Sequence, residues 1–578
     1  MPNLTSIISS HISDLYGDIG FFPTLSAPPK SEHGEYCFGV FTLAKPVGKA
    51  PNIIAEEIAT ELHKDVTHFT QVNVIGGYVN FSCTSGVWIN IFSDVQKMKI
   101  EKKGETIIVD YIGANIGKPL HIGHLCTPSV GQSIINTYSY LGYHVIGDTH
   151  IGDWGLFGKL IAAHKLLGRE NGLKEKGVEY LLELYIAITA QCEADKSIEE
   201  YCRNEFRKLS DGDEENMKLW GEFTSVSLKS MNATLETIHV KPDYDIGESF
   251  YENLPLPKLG DQPTLIYTMN DIVKELLEKN IAIKNEDGSV AVIFPEEKKL
   301  PSVVIQKKDG TNLYLTADIC AIKYRLTNGW NPSKIVYCVD MRQQMHFKQC
   351  FEVCRMAGWL ENIELHHAGN GHISLPDGAM STRKGNIIRL EDLVEEGFVR
   401  TKEILEEKGR SGETSLSENN IREIAVGAIK YSYLMQDRER NVTFDWNKAL
   451  SFEGNSGPYI QYACVRAKKV YEQGKTYIEN LAGEQSFELS EYDTVLIRTL
   501  AEMEGKIKAS ADTYKPHHLA LYCYDLAVCF NSFYVHTPKI LEESDEKIKN
   551  LRLNLCKLTS EKLTLGFELL GIKMPTEM

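Results

Sequence analysis

The sequence predicts a multidomain α/β protein built around a doubly wound parallel sheet. Three observations predict it. Between about residues 101 and 400, short apolar runs alternate with helical periods, the pattern that builds a parallel sheet through crossover helices. The first 100 residues mix strand and helix signals, and beyond residue 400 the strands fade into helical stripes. A chain of 578 residues has room for about three or four domains. The expected organisation is a small α+β domain over 1–100, an α/β core over 101–400 and an all-α domain over 401–578.

Pro51-Asn-Ile-Ile-Ala-Glu-Glu-Ile-Ala-Thr-Glu-Leu62 puts Ile54, Ile58 and Leu62 on one helical face. Gln71 to Phe81 reads as two strands around Gly76-Gly77. The polar run Lys99-Ile-Glu-Lys-Lys-Gly104 suits a linker. Thr106-Ile-Ile-Val-Asp-Tyr111 is a buried strand, followed by a Gly/Pro loop and a helix through about Leu141. Val145-Ile-Gly-Asp148 suggests the next strand. A charged, helix-rich insertion fills about 165–240, after which Leu313-Tyr-Leu-Thr316 and Lys334-Ile-Val-Tyr-Cys-Val339 resume the strand pattern. Ser417-Glu-Asn-Asn420 starts a helix with Ile421, Ile424, Ala425 and Ala428 on one stripe, and similar stripes run to Leu570. There are no internal repeats.

Lys+Arg total 62 against 79 Asp+Glu, a formal net charge of −17. That balance is unusual for a nucleic-acid binder, but net charge does not fix its distribution, and a cationic groove can sit on an acidic body. The thirteen cysteines form no CxxC pair. Cys350 and Cys354, one helical turn apart in an apolar run, read as reduced core thiols, so no tightly held, protein-ligated metal is expected. The first ten residues lack the basic and apolar segments of a secretory signal, and no run of ~18 apolar residues suggests a membrane span. A cytoplasmic protein is the expectation.

The sharpest motif is Gly113-Ala-Asn-Ile-Gly-Lys-Pro-Leu-His-Ile-Gly-His-Leu125, between a strand and a helix. A nucleotide in a doubly wound fold binds at the carboxyl edge of the sheet, where a helix N-terminus offers free amides to phosphate. His121 and His124 are three apart, so both can face one side and donate to phosphate or ribose oxygens. Gly123 leaves room for adenine against backbone. A second motif, Pro376-Asp-Gly-Ala-Met-Ser-Thr-Arg-Lys-Gly-Asn386, is a Gly/Ser-containing loop with two adjacent cations. Such cations can stabilise charge growing on a departing pyrophosphate.

His121-Ile-Gly-His124 spells the first signature of the class I aminoacyl-tRNA synthetases, whose catalytic core is Rossmann-like. The Met380-Ser381 loop resembles their second, Lys-Met-Ser-Lys-Ser, with a departure: Ala379 and Thr382 stand where the two lysines belong, and Arg383 and Lys384 follow. The arginyl branch resembles this, commonly lacking the second lysine and carrying one before the first signature, as Lys118 does here. Thr149–Gly155, Asp245–Ser249, Tyr314–Asp318, Arg342–Phe347, Trp446–Tyr462 and the Leu570-Gly-Ile-Lys-Met-Pro ending also resemble arginyl-tRNA synthetase segments, in family order along nearly the whole chain.

The resemblance implies ATP-dependent activation of L-arginine to arginyl-adenylate, then transfer to the 3′-terminal ribose of tRNA(Arg). ATP enters as its Mg2+ complex, and a monomer is the expectation. By the same resemblance Lys118, His121, His124, Arg383 and Lys384 act in catalysis, and His121, Gly123, His124, Met380 and Ser381 bind ATP. Glu248 and Asp318 receive the guanidinium, Tyr314 lines the pocket, and Asn115, His124 and Gln343 hold the amino-acid end. A guanidinium, with five donors and no acceptor, needs such a carboxylate-rich pocket. Without the resemblance, Tyr314 reads as a core aromatic and Asp318 as an early helix residue.

Tyr459 and Tyr462, one turn apart beside Pro458, either pack the helical domain or stack on anticodon bases; the family uses this Pro-Tyr-x-x-Tyr for the anticodon loop. Tyr522 and Met578 resemble further anticodon-side contacts. Tyr78 and Asn80 match positions touching the outer corner of the tRNA in some members. Family members also need bound tRNA before activation proceeds. Two competing readings are a cysteinyl enzyme, which would need a zinc-thiolate pocket, and a catalytically silent tRNA-binding relative, which would have no need of Lys118, His121, His124, Glu248 and Asp318.

Overall fold

Apolar alternation and glycine punctuation shape the chain from its N-terminus onward. The structure, a computed structural model, describes residues 2–96, 101–169, 171–252, 265–374, 388–407, 416–475 and 488–578. Two compact units result: Met1–Lys99 with Ala463–Gly505 and Asp525–Leu563, and Ile100–Tyr462 with Lys506–Tyr524 and Thr564–Met578.

In the first unit, strands β1 (Tyr36–Gly39), β2 (Phe69–Ile75) and β3 (Tyr78–Cys83) form an antiparallel sheet in the order β1-β3-β2. Gly76 turns the β2–β3 hairpin with φ +60°, which a side chain would strain. The helix Pro51–Leu62 opens on proline, where no amide donor is needed, and buries Ile54, Ile58 and Leu62 as the spacing predicts. The Trp88 ring stacks on Tyr36 and donates its indole N–H to Glu35. Arg498 donates to the Glu35 carbonyl at 2.7 Å, stitching a late helix to the N-terminal sheet. Of the linker expected at 99–104, residues 99 and 100 lie outside the described residues, and 101–104 form no regular element.

The second unit holds the predicted parallel sheet. Strands β4 (Thr106–Ile112) and β5 (His144–Thr149) pair side by side. A small antiparallel sheet of β6 (Ala282–Lys284), β7 (Val290–Val292) and β8 (Val303–Gln306) follows. Strands β9 (Pro332–Tyr337) and β10 (Glu364–His367) then complete a four-stranded order β10-β9-β4-β5, every pair parallel. Residues 107–112 of β4 are all buried, which accounts for a continuous apolar run rather than alternation. The insertion is helical as expected, with Val178–Ala194, Lys196–Ser210 and Glu214–Thr237 as its long members.

One expected strand is wrong. Leu313-Tyr-Leu-Thr316 opens the helix Tyr314–Thr327, with Leu313 extended at its N-cap. Leu315, Ile319 and Ile322 are buried at helical spacing, and a four-residue apolar window cannot separate the two periods.

This helix is fastened to the sheet by Arg325, which is fully buried. Its Nε reaches Asp148 at 2.7 Å and its Nη2 reaches Asp110 at 2.8 Å. Asp110 and Asp148 are register partners near the carboxyl ends of β4 and β5, and the guanidinium also lies 5.4 Å from the Tyr337 ring of β9. Removing one partner of such a buried pair costs about 3–5 kcal/mol, because a charge is left uncompensated.

Later in this unit, Ser417 caps the helix Glu418–Leu434, and Ile421, Ile424, Ala425 and Ala428 are buried. A short parallel pair, β11 (Ile373–Ser374) with β12 (Val442–Thr443), had no counterpart in the sequence reading. All thirteen cysteines are free thiols, and Cys350 and Cys354 are buried in the helix Gln344–Met356. No helix among the described residues is long and apolar enough to cross a membrane.

Candidate active site

The loop after β4 carries the first motif to the carboxyl edge of the sheet. His121 is the N-cap of a short 3-10 turn, Ile122–Leu125, that runs into the helix Cys126–Tyr140. The two histidines tie the turn together. The Gly123 N–H donates to Nδ1 of His121 at 3.1 Å, and the His121 N–H donates to Nδ1 of His124 at 3.0 Å. An amide can only donate, so both Nδ1 atoms accept. In the neutral rings the proton therefore sits on Nε2, which remains as the donor. Burial, reinforced by Lys118, pushes His121 down to about 4; burial, reinforced by His121 and Lys118, pushes His124 down to about 3. Both rings are neutral donors at pH 7.

Gly123 has a local reason to be glycine: a Cβ there would collide with the His121 imidazole. Lys118 lies close enough to act on both histidines, with its ammonium 5.6 Å from the Tyr185 ring of the insertion.

The second motif, with Met380, Ser381, Arg383 and Lys384, lies outside the described residues. The segment after it is described. The Ile122 N–H donates to the Ile388 carbonyl, the Leu390 N–H donates to the Leu120 carbonyl, and Arg389 pairs with Glu179. Residues 388–390 thus lie directly against the first motif.

The sheet edge also gathers an acidic pocket. Backbone bridges lay three segments side by side: Asn115 against Gly152, and Ile151 against Gly247. The Glu248 N–H donates to the Ile151 carbonyl at 2.9 Å. Asp153 is buried and accepts from the Ser249 amide and hydroxyl. Asp318, one turn into its helix, contacts Nε2 of His346 at 2.6 Å and Nε2 of His150 at 3.5 Å. Burial would raise the Asp318 carboxyl, but His150 and the His346 hydrogen bond hold it below its ordinary value. Glu248 shares His150 but has no matching hydrogen bond among the described residues. Burial, with Asp153, Asp318 and Glu252 nearby and only His150 opposing, pushes it up to about 7. A buried carboxyl raised by its desolvation and by neighbouring carboxylates favours a cationic guest.

Tyr314 is 67% exposed, so it is not a core aromatic. Its hydroxyl borders Gly155, and its ring feels the Glu248 charge. Asn115 is exposed, with its side-chain oxygen where a Cβ on Gly152 would stand. Gln343 is exposed in the turn just before the helix that carries His346. His150, Asp153, Glu252 and His346 were not singled out from the sequence. His150, Asp153 and His346 sit inside the quoted segments Thr149–Gly155 and Arg342–Phe347, and Glu252 follows Asp245–Ser249. No local pattern marked any of them.

The RNA-side candidates are spread out. Tyr459 and Tyr462 are half-buried in the first turns of the helix Gly457–Gly474, and Tyr459 packs 5.8 Å from the Tyr524 ring. Tyr522 is 1% exposed, its ring in the interior. Met578 packs on Leu405, Ile421 and Ile424. Tyr78 is partly exposed at the start of β3, edge-on to Phe41, and Asn80 is buried.

Known proteins agree with this geometry. The profile described as "tRNA synthetases class I (R), catalytic domain" matches residues 89–446. "Arginyl tRNA synthetase N terminal domain" matches 2–83, and "DALR anticodon binding domain" matches 460–578. An arginine–tRNA ligase of Fusobacterium nucleatum is 35% identical, over 100% of this chain and 99% of that one. One of Clostridium botulinum (strain Alaska E43) is 34% identical over 96% of each. The arginyl-tRNA synthetase structure of Thermus thermophilus superimposes with TM-score 0.77 over 100% of both chains, and at 22% identity that likeness speaks for the fold. A parallel sheet with His-Ile-Gly-His at its carboxyl edge, together with the catalytic-domain match, defines a class I aminoacyl-tRNA synthetase. Within that class, the chain belongs to the arginyl-tRNA synthetase family.

The raised Glu248 carboxyl gives a pH signature. A cation arriving beside it stabilises the ionised form, so below pH ~7 binding must expel a proton. The arginine KM is expected to rise as pH falls below 7, approaching tenfold per unit, and to flatten above it. Glu248→Gln should remove the slope. Arginine KM measured from about pH 6 to about pH 8 checks both.

Proposed function

We propose that this chain is an arginine–tRNA ligase, working with ATP and L-arginine and with tRNA(Arg) as acceptor. The observation that carries the reading is the juxtaposition of a neutral His121/His124 donor pair with an acidic pocket on the same sheet edge.

In the first step the arginine carboxylate attacks the α-phosphorus of ATP, and pyrophosphate leaves. His121 and His124 donate through Nε2–H to phosphate or ribose oxygens, and Gly123 admits the adenine. Lys118, with Arg383 and Lys384, offsets charge growing on the pyrophosphate, and Met380 and Ser381 bind ATP. Glu248 and Asp318 take the guanidinium, Tyr314 closes over it, and Asn115, Gln343 and His124 hold the amino-acid end. Mg2+ arrives with ATP. In the second step the terminal ribose hydroxyl of tRNA takes the arginyl group, with no covalent enzyme intermediate. Rate comes from positioning and charge stabilisation.

Residues 101–400 carry this chemistry, 1–100 meet the tRNA corner through the exposed Tyr78, with the buried Asn80 donating to its carbonyl, and 401–578 read the anticodon. Tyr459 and Tyr462 are the stacking faces, and Tyr522 and Met578 belong to the same anticodon side by resemblance to the family. The enzyme acts as a cytoplasmic monomer and activates arginine with tRNA bound; family membership supports these points.

ATP–pyrophosphate exchange with arginine and cognate tRNA tests the proposal. Lys118→Ala should lower kcat by about two to three decades, at ~1.4 kcal/mol per decade, with little change in arginine KM. Near-wild-type turnover would remove Lys118 from the phosphate site.

Replacing Tyr459 and Tyr462 together with Ala should raise the tRNA KM by about one to two decades, since a stacked base is worth ~1–3 kcal/mol. Saturating tRNA should restore exchange. A lower melting temperature with unchanged tRNA KM would assign both rings to packing.

A further inference from the structure

The two oxygens of Asp318 are held unequally. Oδ2 lies 2.6 Å from Nε2 of His346, while among the described residues Oδ1 has the longer 3.5 Å approach of His150. An ionised carboxylate cannot donate, so Nε2 of His346 carries the proton of the short bond. Both histidines are themselves braced. His346 stands edge-on to Phe347 at 5.4 Å, and His150 lies nearly parallel to Tyr251 at 6.0 Å. The helix beneath Asp318 is fixed by Arg325. The plane of this carboxylate is therefore set from one side by His346, and its less occupied oxygen is left for a guest.

We propose that His346 is a positioning residue which locks the Asp318 carboxylate in the orientation a planar guanidinium needs, and so sets discrimination for arginine over side chains ending in a primary ammonium. The inference rests on the reading of Asp318 as guanidinium acceptor. A guanidinium presents a rigid fork and loses hydrogen bonds when its acceptor rotates. An ammonium is a compact charge with rotatable donors, and follows a turning carboxylate with little loss. Freeing Asp318 should therefore weaken arginine much more than lysine.

Pyrophosphate exchange with cognate tRNA present tests this in three variants, with arginine and lysine as competing substrates and melting temperature recorded. His346→Phe keeps a ring against Phe347 and removes the donor. Its arginine KM should rise about tenfold to a hundredfold, the range of a lost charge-assisted hydrogen bond. Its kcat and ATP KM should stay within about threefold, and the arginine-to-lysine ratio of kcat/KM should fall about tenfold or more. His346→Gln, whose amide can donate to Oδ2, should return arginine KM to within about threefold of wild type. Asp318→Asn separates the two levels of the argument. If it leaves arginine KM unmoved, the acceptor reading itself fails. If it raises arginine KM while His346→Phe leaves it unchanged, or Gln fails to rescue, or the arginine-to-lysine ratio holds, the inference about His346 is overturned and the acceptor reading stands.

Discussion

A fully buried guanidinium, Arg325, bonds at once to Asp110 on β4 and Asp148 on β5, and the placement of the helix bearing Asp318 on the sheet depends on it. The helix that carries Arg325 also carries Asp318 two turns earlier and Tyr314 at its first position. Apolar packing is non-directional, whereas a guanidinium held by two carboxylates adds a directional constraint on register. The clamp sits close to the carboxyl ends of β4 and β5, from which the loops bearing His121, His124, His150 and Asp153 depart. One buried interaction therefore ties the acidic pocket and the histidine turn to the same strands.

Electrostatics then divides the labour. At the histidine turn, burial and Lys118 keep the imidazoles uncharged at neutral pH, which leaves Nε2–H as the donor of each ring. In the acidic pocket, Glu248 and Asp318 are pushed apart in pKa: Asp318 has two histidines to hold its charge against burial, while burial, with carboxylates nearby, raises Glu248. A net charge of −17 does not exclude local cations: Lys118 stands beside the histidine turn.

Much of this was legible in the sequence because the signals were local. The strand–loop–helix around His121, the Gly76 hairpin, the Pro51–Leu62 helix and the Ser417 cap each express a period or a capping residue within a few positions. The failures are equally physical. Leu313–Thr316 was too short a window to show its helical period. His346 and His150 touch Asp318 from positions 28 residues after it and far before it, and Arg325 bridges strands more than 170 residues upstream. Such contacts are made by the fold and leave no spacing to read. The hidden reason for Gly123, a clash with the imidazole two residues before it, also needed the turn geometry.

The central claim, that the Arg325 clamp sets the arginine pocket through its helix, is tested most directly by Arg325→Lys. Lysine keeps the charge, but its ammonium lacks the planar fork that reaches both carboxylates. With arginine KM, ATP KM and melting temperature measured together, the account predicts a folded enzyme of lowered melting temperature whose arginine KM rises about tenfold or more, with ATP KM much less affected. A folded Arg325→Lys enzyme with wild-type arginine KM would contradict it.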